Sequence, residues 1–252
     1  QPDDGHPHHS RRRLLAKALC LYDNAGEHFL PGGESAGTPV EHLALSEALL
    51  FLFDPTQHPK FRKQCNSPLA DPQMGEHGKL YRQDRILLEA AKRIRIQSGW
   101  PQDAKYKKPL IVVVTKYDAW CSMIHGERLY LNQVVRKTGT SVTALDITTL
   151  RAMSSKVRDV LVKNAREVVQ AAENFCSEVI YVPVSALGRS PEINEAAKTL
   201  ENGKKPLGIR PRDIDPMWCE VPILYALRQL VRRGKQSQDP STEQNLGRQK
   251  SG

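Results

Sequence analysis

The stretch LIVVVTKYD, residues 110–118, begins with five apolar residues and ends with a basic and an acidic side chain. Its apolar part, Leu110–Val114, is rich in β-branched residues and lacks the alternation of a half-exposed strand. This pattern predicts a strand buried on both faces, as in a parallel sheet. The run VIYVPV at Val179–Val184 has the same character and predicts a second such strand.

Two other apolar runs have the length of a strand. They cover Leu14–Tyr22 and Ala48–Phe53, and the first contains Lys17, which places it nearer an edge of the sheet. Helical patterns occur between and after the runs, at Val40–Glu47, Leu80–Ile96, Ala144–Phe175 and Val221–Arg232. Strands that alternate with helices predict an α/β fold with a mainly parallel sheet and flanking helices.

The composition along the chain suggests how it is organised. We expect residues 1–13 to be a flexible segment, 14–234 to form one α/β domain and 235–252 to be a disordered tail. Within the domain, residues 55–78 form a long Pro-, Gln- and His-rich connection, and residues 125–176 form a helical insertion before the last strand.

The charge and cysteine content exclude several classes of protein. The net charge is +9, but much of the excess lies near the two ends, and aromatic residues make up only 6%. This favours solvated ends over a nucleic-acid interface, which would carry its basic residues and aromatics on one ordered face. The five scattered cysteines form no Cys-x-x-Cys pair and indicate reduced thiols in the cytoplasm. No apolar run approaches the roughly 18 residues of a membrane span.

Polar residues follow the apolar runs, where ligands bind in open α/β sheets. Asp23-x-x-Gly26 follows the first run, Thr115-Lys116-x-Asp118 follows the third, and Ser185-Ala186-Leu187 follows the fourth. In this order the three motifs resemble the later motifs of Ras-like P-loop GTPases. The stretches LYDNAGEHFLPG and LLFLFDPTQHP are further similar to a bacterial double-GTPase group.

The resemblance covers roughly residues 14–232 and implies a Ras-like P-loop GTPase fold. It also implies a switch that hydrolyses GTP to GDP and phosphate, with guanine nucleotide and Mg²⁺ as ligands. A protein partner or a second domain is expected beside the nucleotide.

Guanine presents two donors, N1–H and its exocyclic amine, along one edge, and a carboxylate can accept both. Asp118 is the candidate for this role. The resemblance implies that Lys116 lies along the base, that the Ala186 N–H donates to guanine O6 and that Ser185 supports Asp118. Thr115 stands where the family usually has Asn. The alternative is that Asp118 only caps the segment that follows it.

The resemblance gives the Asp23 motif a different role. Asp23 would hold Mg²⁺ through a water, and the Gly26 N–H would meet the γ-phosphate. Glu27 occupies the position where many such enzymes carry a glutamine that orients the attacking water. A carboxylate there could act as a weak base but would repel phosphate oxygens, so His28 is the second catalytic candidate. The alternative for this motif is an ordinary turn.

The polar residues after the second run, Asp54 to His58, admit two interpretations. They could act on the switch loop, since their strand ends at the same edge of the sheet. The favoured interpretation is structural, with Asp54-Pro55 opening the long connection.

The sequence contains no G-x-x-x-x-G-K-[ST] loop, which cradles the phosphates in this family. Because the first residue is Gln1, we expect the chain to be part of a longer GTPase that carries this loop. The alternative is a domain that has lost catalysis and serves as a scaffold for protein–protein interaction. A nucleic-acid-binding protein, suggested by the +9 charge, is a third hypothesis.

Overall fold

The computed structural model describes residues 19–23, 29, 38–65, 82–124, 128–138, 142–194, 196–199, 203 and 205–236. In these ranges strands alternate with helices around a mainly parallel sheet, which confirms the α/β class. The elements, in chain order, are α1 (Thr38–Leu45), β1 (Leu49–Phe53), α2 (Pro59–Arg62), α3 (Gln83–Gln97), β2 (Leu110–Val114), α4 (Tyr117–Trp120), β3 (Val135–Thr138), β4 (Val142–Leu145), α5 (Ile147–Asn164), α6 (Arg166–Phe175), β5 (Val179–Pro183), β6 (Glu192–Ile193), β7 (Leu207–Gly208) and α7 (Val221–Gln236).

The central sheet has the order β1-β2-β5, and both pairings are parallel. Leu110 of β2 lies between Leu49 of β1 and Val179 of β5. All five residues of β2 are buried, as its continuous apolar sequence predicts for a strand covered on both faces. The carboxyl ends of the three strands therefore meet at one edge of the sheet.

The two outer edges of the sheet differ. Helix α5 packs on β5, and the Ser154 hydroxyl accepts a hydrogen bond of 2.8 Å from the Tyr181 N–H. On the other side, Leu52 of β1 keeps 64% of its surface exposed. The predicted strand Leu14–Tyr22 is wrong in its described part, because residues 19–23 form no strand and are exposed. The rest of that run lies outside the described residues.

Residues 125–176 are less helical than predicted, because β3 and β4 form an antiparallel hairpin ahead of the two helices. Asp146 is the N-cap of helix α5, and its side chain accepts hydrogen bonds from the first-turn N–H groups of Thr148 and Thr149. Helix α5 packs on β5, while α6 packs on α3. The two helices are therefore part of the layers that cover the sheet.

The other predicted helices are confirmed, with ends shifted by a few residues. Helix α7 continues to Gln236, two residues into the predicted tail, and Pro222 lies in its first turn, where its missing N–H costs little. The connection after β1 contains a 3₁₀ turn at Pro55–Gln57 and the short helix α2. The predicted flexible segment, residues 1–13, lies outside the described residues. None of the helices in the described ranges combines the length and apolar character that crossing a membrane requires.

Candidate functional site

The loop that follows β2 is bonded to both neighbouring strands. The N–H and the hydroxyl of Thr115 both donate to the Phe53 carbonyl at the end of β1, at 2.9 and 3.2 Å. On the other side, the Tyr117 N–H donates to the Val184 carbonyl after β5 at 3.0 Å. The loop thus crosses the carboxyl edge of the sheet, and the Thr115 hydroxyl bonds the end of β2 to the end of β1.

Asp118 lies beside the end of β5, as the motif order predicts. Its Oδ1 accepts a hydrogen bond of 2.5 Å from the Ser185 hydroxyl, which in turn accepts one of 2.8 Å from the Gly188 N–H. No side chain of the described residues makes a capping hydrogen bond to helix α4, in whose first turn Asp118 lies. Within the described chain nothing donates to Asp118 Oδ2, which leaves acceptor capacity for a ligand.

The segment after Ser185 supplies a backbone donor on the same edge. Ala186 is exposed, and no group of the described residues accepts a hydrogen bond from its N–H. The next residue, Leu187, is fixed because its carbonyl accepts a hydrogen bond of 3.1 Å from the Asp215 N–H. An acceptor, Asp118, and a donor, Ala186, therefore lie on adjacent loops.

Lys116 adopts a left-handed backbone conformation, with φ 54° and ψ 42°. Such angles are uncommon for a residue with a side chain and mark positions held by their surroundings. The side chain turns back toward the end of β1, where Nζ lies 2.7 Å from Asp54 Oδ2 and 3.2 Å from the Thr56 hydroxyl. The ammonium therefore reaches the loop that follows β1.

The carboxylate of Asp54 organises the turn after β1. Oδ1 accepts from the N–H and the hydroxyl of Thr56 at 2.9 and 2.7 Å, and Oδ2 accepts from the Gln57 side chain at 3.1 Å. The Gln83 side chain binds both the N–H and the carbonyl of Asp54. This geometry supports the structural interpretation of Asp54-Pro55. It also brings Asp54 to Lys116, a contact that the sequence analysis missed.

No family model, curated protein or solved structure matches the chain. The chemistry of the site follows from its own groups, which are a supported carboxylate, a neighbouring N–H donor and an ammonium held by a second carboxylate.

The predicted metal ligand, Asp23, forms no hydrogen bond or ion pair with these described residues. It is exposed and lines a cleft of about 500 Å³ beside β1, together with Leu52 of that strand and Gln83 of α3. Among the described residues, no group of three or more His, Cys, Asp or Glu side chains is placed to hold a metal. A single carboxylate fits Mg²⁺ only where phosphate oxygens and waters complete the shell. Three further predicted residues, Gly26, Glu27 and His28, lie outside the described residues.

Four thiols are held in the protonated form by their surroundings. Burial is the main cause in each case, and it raises the pKa of Cys65 to about 11 and that of Cys176 to about 12. Burial also raises the pKa values of Cys121 and Cys219, with a further contribution from nearby carboxylates. Because the thiolate is the reactive form, these four residues are poor nucleophiles at neutral pH.

Proposed function

We propose that this chain is the guanine-nucleotide-binding part of a GTPase switch. The base would be read by Asp118 and the Ala186 N–H, on the loops that follow β2 and β5. The observation that carries the proposal is the hydrogen bond between Asp118 and Ser185, which supports the carboxylate at the carboxyl edge of a parallel sheet.

The acceptor capacity of Asp118 supports guanine as the base. A carboxylate offers about four acceptor positions, and Ser185 occupies one of them. Guanine N1–H and the exocyclic amine can use the remaining positions, and the free Ala186 N–H suits the O6 acceptor. Adenine has no matching pair of donors, so this arrangement selects GTP and GDP over ATP.

Hydrolysis is the second part of the proposal and rests on other residues. Asp23 would hold Mg²⁺ through a water, Gly26 would meet the γ-phosphate, and Glu27 or His28 would place the attacking water. These roles come from the resemblance, and they require a phosphate-binding loop that the 252 residues do not contain. The activity is therefore proposed for a longer protein that carries such a loop.

Titration with a fluorescent GTP analogue in the presence of Mg²⁺ tests the proposal. We expect unlabelled GTP and GDP to compete for the site and ATP not to compete. If the folded protein that carries a phosphate-binding loop fails to bind the analogue at micromolar nucleotide, the switch is excluded and the scaffold alternative is favoured.

The variant Asp118→Asn tests the base contact itself. Asn keeps the oxygen that accepts from Ser185, so the loop should stay folded, but it replaces the second acceptor by a donor. We expect the preference to move from GTP to XTP. Asp103→Asn, an exposed residue at a distant turn, is the matched control and should retain the GTP preference. An Asp118→Asn protein with unchanged preference would exclude Asp118 as the base reader.

A further inference from the structure

We infer that Asp54 is a positioning residue for nucleotide binding and acts by holding the side chain of Lys116. The inference rests on the proposed function, because it assigns a role to a residue beside the same site. It starts from the ion pair of 2.7 Å that joins these residues across two adjacent strand ends.

The ion pair is partly removed from water. Only 17% of the Asp54 side chain and 27% of the Lys116 side chain are exposed. Screening by solvent is weaker at such a position than at the surface, so the pair holds its geometry more firmly than an exposed pair does. The Thr56 hydroxyl gives the ammonium a second partner at 3.2 Å.

Asp54 is itself held in place from several directions. Its backbone N–H and carbonyl bind the Gln83 side chain of α3 at 2.8 and 2.9 Å. Its loop ends at His58, whose Nε2 lies 2.9 Å from Glu167 Oε1 on α6. Two helices therefore hold the turn that carries the carboxylate, which is the property of a pre-organised support.

The effect of the ion pair depends on the left-handed backbone at Lys116, which sets the direction of the side chain. This conformation lets the next residue, Tyr117, reach Val184 while the Lys116 side chain points the other way, toward β1. With Nζ bonded to Asp54, the end of β1 sets the direction of the four-carbon stem, in the same loop that carries Asp118. Asp54 thereby places an apolar stem, and not a free charge, beside the proposed base site.

A double-mutant cycle on the protein that binds the fluorescent analogue tests this role. Asp54→Asn removes the anchor, and Lys116→Met keeps an unbranched stem without its charge. We expect each variant to bind about tenfold more weakly and the double variant to bind no more weakly than Lys116→Met alone. If the affinity loss of the double variant equals the product of the two single losses, Asp54 acts independently of Lys116 and the inference is overturned.

One further measurement and one control variant separate positioning from a general loss of structure. The ratio of GTP to XTP affinity should stay at the wild-type value in Asp54→Asn, because Asp118 still reads the base. Glu89→Gln is the matched control, since Glu89 forms a similar 2.8 Å ion pair with Arg93 on α3, and it should bind like the wild type.

The outcomes also distinguish this inference from the proposed function. A wild-type protein that binds no guanine nucleotide ends the proposed function and this inference with it. If the wild type binds guanine nucleotide and Asp54→Asn binds it with unchanged affinity, the proposed function stands and only the inference is overturned.

If Asp54→Asn does not fold, the comparison of Lys116→Met with Lys116→Arg replaces it. Arg can still pair with Asp54 and should bind more tightly than Met, and equal affinities would overturn the inference.

Discussion

Ser185 joins Asp118 to the loop that follows β5 through two hydrogen bonds on one hydroxyl. The hydroxyl donates to Asp118 Oδ1 at 2.5 Å and accepts from the Gly188 N–H at 2.8 Å. Only 1% of Ser185 is exposed, so water does not substitute for either partner. The orientation of the carboxylate and the shape of the loop therefore depend on the same small side chain.

Ser185→Ala should weaken binding of the fluorescent GTP analogue about tenfold, because a hydrogen bond to a charged group is lost. The preference for GTP over XTP should persist, since the Asp118 carboxylate remains. Titrations of both nucleotides, made well below the melting temperature, measure the two effects. Ser155→Ala, on the exposed face of α5, is the control. Wild-type affinity in Ser185→Ala would show that Asp118 needs no such support.

The strands and loops of this edge could be predicted from the sequence because local composition determines them. Leu110–Val114 is a strand with the predicted bounds, and its burial follows from an apolar run without alternation. That the loops carrying Asp118 and Ser185 share an edge was also expected, since the carboxyl ends of parallel strands meet there. The contact between the two side chains was implied by the resemblance to Ras-like GTPases and not by local patterns.

The contact between Lys116 and Asp54 could not be predicted in the same way. The residues are 62 positions apart, and their meeting depends on β1 pairing with β2 and on the left-handed turn at Lys116. The absence of a strand over residues 19–22, the described part of the predicted strand Leu14–Tyr22, has a related cause. Apolar composition shows that a segment is able to form a strand, but it does not show which edge, if any, is available to pair with it.

Gly188 is expected to tolerate no side chain. Its φ is +75°, and a Cβ added there would lie 1.9 Å from the Asp215 carbonyl oxygen. Gly188→Ala should therefore cost about 3 kcal/mol or more, from backbone strain together with a clash against backbone atoms. Urea unfolding measures the change.

Gly99 gives the matched comparison, since its φ is +65° but nothing lies within 4 Å of an added Cβ. Gly99→Ala should lower the free energy of unfolding by about 1 kcal/mol, from the strained backbone conformation alone. Equal costs at Gly188 and Gly99 would show that the loop after β5 moves away from Asp215 at little cost.

Ser154 is expected to stabilise the outer edge of β5. Its hydroxyl accepts from the Tyr181 N–H at 2.8 Å, and Ser154→Ala leaves that buried donor without its partner. We expect a loss of about 1–3 kcal/mol in the free energy of unfolding. Ser155→Ala, one residue further along the same helix and exposed, should change it by less than about 0.5 kcal/mol. Similar losses in the two variants would point to helix propensity as the cause.

Glu173 is expected to make part of the stability depend on pH. Hydrogen bonds from Arg158, at 2.5 and 2.8 Å, are the main reason that the pKa of Glu173 lies below its ordinary value of 4.5. Partial burial opposes this shift, and a hydrogen bond of 3.1 Å from the Tyr181 hydroxyl adds to it. A carboxyl whose pKa is lowered by folding stabilises the protein above the unfolded pKa, and the contribution is lost as the pH falls through the folded value.

The stability of Glu173→Gln relative to the wild type should therefore vary with pH. At pH 7 the variant should be less stable by a few tenths to about 1 kcal/mol, since both side chains of the pair are more than a third exposed and are screened by water. Below about pH 4 the difference should shrink, because the wild-type carboxyl becomes protonated. Urea unfolding from pH 7 to pH 3 measures it, with the exposed Glu41→Gln as a control. A difference that stays constant over this range would mean that Glu173 stabilises the contact between α5 and α6 by packing and not by its charge.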